Sequence, residues 1–266
     1  MPFEPQGLNH AIIEAVFGFQ LARNFNQGEV DALIVAHDKV FKNDLPRVNR
    51  TQVLFLGAMP ANVQITPPVA GVAFDAIKKD GGLEWRLRAE DNSLLVNCLD
   101  YSRWSQVWPK AREYLRAASD ILLATDNTIA GVLLQYIDVF CWDGPLANYN
   151  VAELLDANGA HVPKSVLGCE PLWHLHQGWY RTDNLPAPGR LLERVHLDAV
   201  LDEKGIPVVK VDTYMMLELA GQQNNVATFG GGAPMADRVF DDLHKANKSL
   251  LKSFLTSDMA KKINLG

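Results

Sequence analysis

Long apolar runs, paired cysteines, a basic charge excess and catalytic signatures are all missing from this chain of 266 residues. No apolar run reaches the roughly 18 residues of a membrane-spanning helix, so no transmembrane segment is expected. The opening MPFEPQGLNH has neither a basic region nor an apolar centre and does not read as a secretory signal. The three cysteines, Cys98, Cys141 and Cys169, are odd in number, widely spaced and set among apolar residues. That pattern speaks against a disulfide framework and for reduced packing residues in a cytoplasmic protein. A net charge of −6 argues against sequence-blind nucleic-acid binding, whose affinity comes from neutralising phosphates. There is no G-x-S-x-G, H-E-x-x-H or C-x-x-C, and neither a P-loop nor a dinucleotide fingerprint, so no cofactor is expected.

What is present is a normal globular mixture, 48% hydrophobic and 21% charged, with clear periodicity. Leu83, Trp85, Leu87 and Ala89 alternate with Glu84, Arg86 and Arg88, which predicts a strand with one apolar and one charged face. Glu90-Asp91-Asn92 is turn chemistry, and residues 93–99 return as the partner strand. From 102 to 125 the apolar residues fall at steps of three and four, through Trp104, Val107, Trp108, Ala111, Tyr114, Leu115, Ala118, Ile121 and Leu122. They form one helical stripe. Ser102 is a candidate cap, and Pro109, lacking an N–H, is expected to delay the regular helix. Residues 129–142 are almost continuously apolar and predict a strand buried on both faces, or nearly so.

Elsewhere the pattern predicts strands over 10–22, 51–56, 69–77, 171–181, 191–201 and 206–219. A short extended piece is expected at 63–65. Helices are expected over 26–43 and 237–255, and 221–234 reads as a polar, Gly-rich loop. The expected fold is α+β, with antiparallel sheets and long amphipathic helices on one face. It forms a single compact unit over 1–266. Each half reads strand, helix or turn, several strands, helix, which predicts two repeats over about 8–127 and 128–258. The other sheet face then carries Glu84, Arg86, Arg88, Arg194, His196, Asp198, Lys210, Asp212 and Tyr214, joined by His174, His176 and Tyr180 if their strand has the matching register.

The opening HAIIEAVFGFQL resembles the start of a sporadically distributed, uncharacterised bacterial family of about this length. Tyr101-Ser102-Arg103-Trp104, Leu134-Gln135-Tyr136-Ile137-Asp138, Leu243-His244 and Phe254-Leu255-Thr256 follow in that family's order. His10 departs from the pattern, where the family often has proline. The resemblance implies a bacterial accessory gene of the kind carried on mobile or defence-associated islands. It brings no established activity and no catalytic residues. It also implies a structural place for His244, between the closing helix and the sheet.

Three readings of function remain open. In the first the chain is a non-enzymatic module that binds another protein, for which an adjacent gene is the first place to look. Arg86, Arg88, Arg194, His196, Lys210 and Tyr214 are its contact candidates, since Arg and Tyr concentrate at interface centres. The plainer alternative is a solvated sheet surface. In the second, a small molecule occupies a hollow between sheet and helices, with Trp104, Trp108, Trp173 and Trp179 as aromatic lining or simply as core. In the third, His174, His176, His196 and Asp198 ring a metal in an enzyme. Against this, H-x-H is common, and Asp198 reads more simply as a cross-strand partner of Arg194 or Lys210. The run Phe229-Gly230-Gly231-Gly232-Ala233-Pro234 precedes a helix as a phosphate cradle would, but no strand feeds it and no Lys-Ser follows. It reads as a connector.

Overall fold

The computed structural model describes residues 2–7, 10–52, 69–122, 126–221, 226–229 and 234–265. The extended piece at 63–65, most of the strand expected over 51–56 and the glycine run at 230–232 lie outside the described residues. The fold is α+β and built on antiparallel pairing, as the alternation predicts. Two compact units interleave along the chain. Unit 1 comprises Met1–Val16, Leu133–Glu218 and Arg238–Gly266, and unit 2 comprises Phe17–Val132 and Leu219–Asp237.

In unit 2 the strands β3 (Arg47–Gln52), β4 (Val69–Ile77), β5 (Leu83–Glu90) and β6 (Ser93–Cys98) run as a meander, and β6 neighbours β2 (Ile12–Leu21). The β5–β6 turn places Asp91 at φ 51°, a left-handed conformation that Asp tolerates. Helix α1 (Gln27–Val40) starts at Asn26, whose side chain accepts the Glu29 N–H at 3.0 Å while the Glu29 carboxylate accepts the Asn26 N–H at 2.9 Å. This reciprocal pair satisfies two donors that the first turn would leave bare. The buried face of α1 carries Val30, Leu33 and His37. The His37 ring lies 4.9 Å from Phe74 of β4, and Nε2 is 2.8 Å from the Leu45 carbonyl.

Helix α2 (Trp104–Leu122) buries the expected stripe, including Val107, Ala111, Leu115 and Ala118, and packs on β6 and α1. Two local expectations fail. Pro109 lies inside the helix and does not delay its start. Hydrogen bonds from Gln106 and Val107 back to the Arg103 carbonyl have already begun the helix, and proline then removes a single later bond. Ser102 does not cap the backbone either; its hydroxyl reaches the Gln106 side chain at 2.9 Å.

In unit 1, β7 (Ile129–Trp142) pairs with β1 (Phe3–Pro5) at its end, and the strand order continues β7, β10 (Pro207–Leu219), β9 (Gly189–Leu201), β8 (Trp173–Arg181). Strand β1 has no sequence signal, being three residues long and ending in proline. Leu134, Tyr136, Asp138, Phe140 and Trp142 of β7 share one face and are all buried. The residues between them are buried or half-buried, so the strand is covered on both sides nearly throughout, as its composition requires.

A one-turn helix α3 (Lys164–Leu167) precedes β8, and another, α4 (Val226–Phe229), interrupts the segment expected to be a loop. The closing helix α5 (Pro234–Phe254) begins three residues earlier than expected, and α6 (Ser257–Lys262) follows it. Phe240, Leu243, Leu251 and Phe254 form its buried stripe. No helix among the described residues is long and apolar enough to cross a membrane.

Candidate functional site: the polar face of strands β8 to β10

Alternation decides which side chains of β8 to β10 stand together. Strand β8 exposes His174, His176, Gly178 and Tyr180 and half-buries the residues between them. Its register with β9 sets His174 opposite Asp198, His176 opposite His196 and Gly178 opposite Arg194. Strands β9 and β10 form a hairpin over residues 202–206, closed by an Asp202 N–H to Ile206 carbonyl bond of 2.9 Å, with Gly205 at φ 76°. A left-handed residue is what such a turn needs, and glycine supplies it without strain.

The hairpin brings Arg194 over Tyr214. The guanidinium carbon is 4.3 Å from the ring centre. Arg190 repeats the arrangement on Tyr180 at 4.6 Å and also binds Glu218 at 2.6 Å. The Tyr180 hydroxyl donates to Glu218 at 3.1 Å. Burial raises the Tyr214 phenol above its ordinary value, with Arg194 pulling the other way, so the ring keeps its O–H at neutral pH. Asp212 accepts from the Gln135 amide at 2.8 Å. Arg190, Tyr180 and Glu218 extend the site beyond the contact candidates. The signal for Arg190 and Glu218 was available, since they continue the period-two series of Arg194 and of Lys210, Asp212 and Tyr214.

The four proposed metal ligands do share this face. The His176 and His196 rings lie 5.3 Å apart, and His196 Nε2 is 3.1 Å from Asp198. Asp198 is therefore the partner of its own strand neighbour His196, not of Arg194 or Lys210. No group of three or more His, Cys, Asp or Glu among the described residues is placed to hold a metal ion. The three cysteines are free.

Arg86 and Arg88 stand in unit 2 and differ in kind. Arg86 grips Asp75 with Nε at 2.7 Å and Nη2 at 2.8 Å, and Asn49 donates to the same carboxylate at 2.6 Å. Asp75 is 1% exposed. Arg88 lies 3.8 Å from Glu90. These two arginines serve partners within the strand pair. Arg194 and Lys210 have no carboxylate within ion-pair distance among the described residues.

A second polar group lies beneath α5. The Tyr136 hydroxyl is 2.9 Å from His244 Nδ1, and Asn247 donates to the Thr213 hydroxyl at 2.8 Å. Burial, helped by Lys248 and Lys245 and opposed by Asp241, lowers the His244 pKa to about 4, so the ring is neutral near pH 7. Asp138 follows Tyr136 by two residues on the same face of β7. Burial raises its pKa to about 7, and Oδ2 meets no hydrogen-bond partner among the described residues. The Tyr136–His244 and Thr213–Asn247 bonds join sheet to helix, which is the place expected for His244.

Of the four tryptophans considered for a pocket, Trp108 is buried and Trp104, Trp173 and Trp179 are half-buried. Trp108 and Trp179 donate to Asp237 and Glu193. A depression of about 360 Å³ opens beside Trp142, Asp143, Pro145, Asn148, Asn150 and Glu153, at the end of β7. Its lining belongs to the turns after the strand, not to a hollow between sheet and helix. The chain matches no protein-family model, and no curated protein matches it.

Proposed function

We propose that this chain is a protein-binding module and that the β8–β10 face is where its partner docks. The observation that carries the reading is the state of Arg194. The guanidinium sits over the Tyr214 ring, 4.3 Å from its centre, with its N–H donors uncommitted to any carboxylate among the described residues. A planar, pre-oriented guanidinium loses little freedom when a carboxylate arrives, and that is what makes arginine effective at interface centres. Lys210 on the next strand is exposed and has no ion-pair partner among the described residues. The fitting partner is a protein that presents carboxylates to these two cations and an apolar or hydroxyl group to Tyr214.

The likeness of the opening strand, the mid helix and the closing helix to a bacterial accessory family supports a partner from the same locus, and a role in defence against phage is in keeping with that family's setting. The test is affinity capture of the tagged chain from its own cells, beside Arg194→Glu/Lys210→Glu. A stoichiometric partner held by the parent and lost by an equally stable variant supports the proposal. An identical set of captured proteins from both contradicts it.

A further inference from the structure

Two strands end the strand orders of the units, β3 in unit 2 and β8 in unit 1. An end strand offers a row of unpaired N–H and C=O groups, and proteins blunt such edges with short length, charge, proline or a bulge. Strand β3 is blunted in this way. It has six residues, carries Arg47 and Arg50, and shifts register between Thr51 and Gln52. Strand β8 has none of these devices. It runs nine residues, WHLHQGWYR, and pairs with β9 along its whole length without a register shift. Its one fully charged residue, Arg181, is already neutralised by Glu193 at 3.0 Å. No backbone group of 173–181 bonds to any other segment among the described residues.

We propose that β8 pairs antiparallel with β8 of a second copy of this chain, about a two-fold axis at Gln177. Self-pairing is singled out over a foreign strand because the sequence of β8 is complementary to its own reverse. Full overlap of nine residues puts the axis at the midpoint, Gln177. On the exposed face His176 then meets Gly178 of the other copy, a ring against an open position, and His174 meets Tyr180. On the opposite face Leu175 meets Trp179, and Trp173 meets Arg181, an aromatic ring beside a guanidinium. No like charges oppose one another, and cross-strand aromatic pairs of this kind stabilise a ladder. A closed two-fold contact also uses up the edge on both copies, so the assembly stops at two. This pairing stands apart from the partner reading above. It uses the backbone edge, whereas the partner meets the side-chain face, which the dimer would present twice.

The experiment is sedimentation velocity across a range reaching high micromolar concentration, on the parent chain, Gly178→Lys and Val200→Lys. Gly178 is not among the positive-φ glycines, and a Cβ there would meet the Glu193 carbonyl and the Arg194 stem at ordinary contact distances of 3.4 and 3.5 Å. The lysine is therefore accommodated in the monomer and places charge beside the axis. Val200 is exposed at the far end of β9 and serves as control. The expected result is a dimer for the parent and for Val200→Lys, and for Gly178→Lys a folded monomer that melts cooperatively, lowered only by the repulsion of Arg194 opposite. A monomeric parent overturns the inference, and so does a dimer that survives Gly178→Lys. A monomeric parent that captures a strand of another protein, lost in Gly178→Lys, assigns the edge to a different occupant and also overturns it. Should Gly178→Lys fail to fold, Gln177→Cys reads the register directly. Mild oxidation gives a covalent dimer absent from the parent if the axis is at 177, and none if it is not. A dimer without any captured partner sinks the proposed function and leaves this inference standing.

Discussion

The guanidinium of Arg194 and the ring of Tyr214 face one another across the β9–β10 hairpin at 4.3 Å. Each fixes the other, and a half-buried contact of this type contributes about 0.5–2 kcal/mol. On the proposed reading, the pair matters more to docking than to the fold. Tyr214→Leu should therefore lower the stability of the chain by no more than about 2 kcal/mol. It should weaken partner binding by about tenfold or more, since a released guanidinium must be ordered again on binding. Chemical denaturation and a binding titration, run on the same preparations, separate the two effects.

Arg86 is predicted to behave in the opposite way. Its bidentate bond to Asp75 leaves a 1% exposed carboxylate without its main counter-charge when the arginine is removed. Arg86→Ala should cost about 1–3 kcal/mol, the range for a buried group stripped of a charged partner, and leave partner affinity unchanged. Equal melting temperatures for parent and variant would show that Asn49 alone suffices for Asp75.

Phe254 is fully buried at the end of α5, 5.6 Å from the His161 ring, which in turn stacks on Trp179 at 4.6 Å. Phe254→Ala should cost about 3–5 kcal/mol. An unchanged melting temperature would make the closing helix peripheral to unit 1.

Asp138 and His244 should act against each other as pH changes. The folded chain holds the Asp138 carboxyl protonated up to about pH 7, whereas the unfolded chain releases that proton near pH 4. The folded state binds the extra proton between those values, so this residue makes stability fall as pH rises from about 4 to about 7. His244 is neutral in the folded chain down to about pH 4, whereas the unfolded imidazole takes up a proton near pH 6.5. Here the unfolded state binds the extra proton, so stability falls as pH drops from about 6.5 to about 4. The parent should show a shallow profile in which the two slopes offset. Asp138→Asn should lose stability on acidification below about pH 6.5, and His244→Gln should lose it on going from about pH 4 to about pH 7. Melting curves of the three proteins from pH 4 to 8 decide this; parallel profiles would contradict it.

Much of this architecture is legible in the residues. The strands of the 83–98 hairpin and the stripe of α2 follow from period two and period 3.6, because one face of each element meets the core. The polar face of β8 to β10 is legible for the same reason, down to both histidines of β8 standing together. Register is not. The Arg86–Asp75 pair depends on how β4 and β5 align, and a shift between Ala76 and Ile77 sets that alignment through backbone geometry alone. The choice of His196 by Asp198 is likewise a matter of side-chain reach. Asp138 was hidden in plain view. Alternation through Leu134, Tyr136, Phe140 and Trp142 puts it on an apolar face, but whether a helix covers that face depends on residues a hundred positions away.

On the proposed reading, a protein partner meets the β8–β10 face through Arg194. The most direct measurement is the affinity of the purified partner for the parent chain and for Arg194→Glu, by calorimetry, with melting curves in parallel. Matching melting temperatures are expected, with an affinity reduced by about a hundredfold or more, the loss of about 2.7 kcal/mol that a charge-reversed interface centre implies. Equal affinities at equal stability would place recognition elsewhere on the molecule.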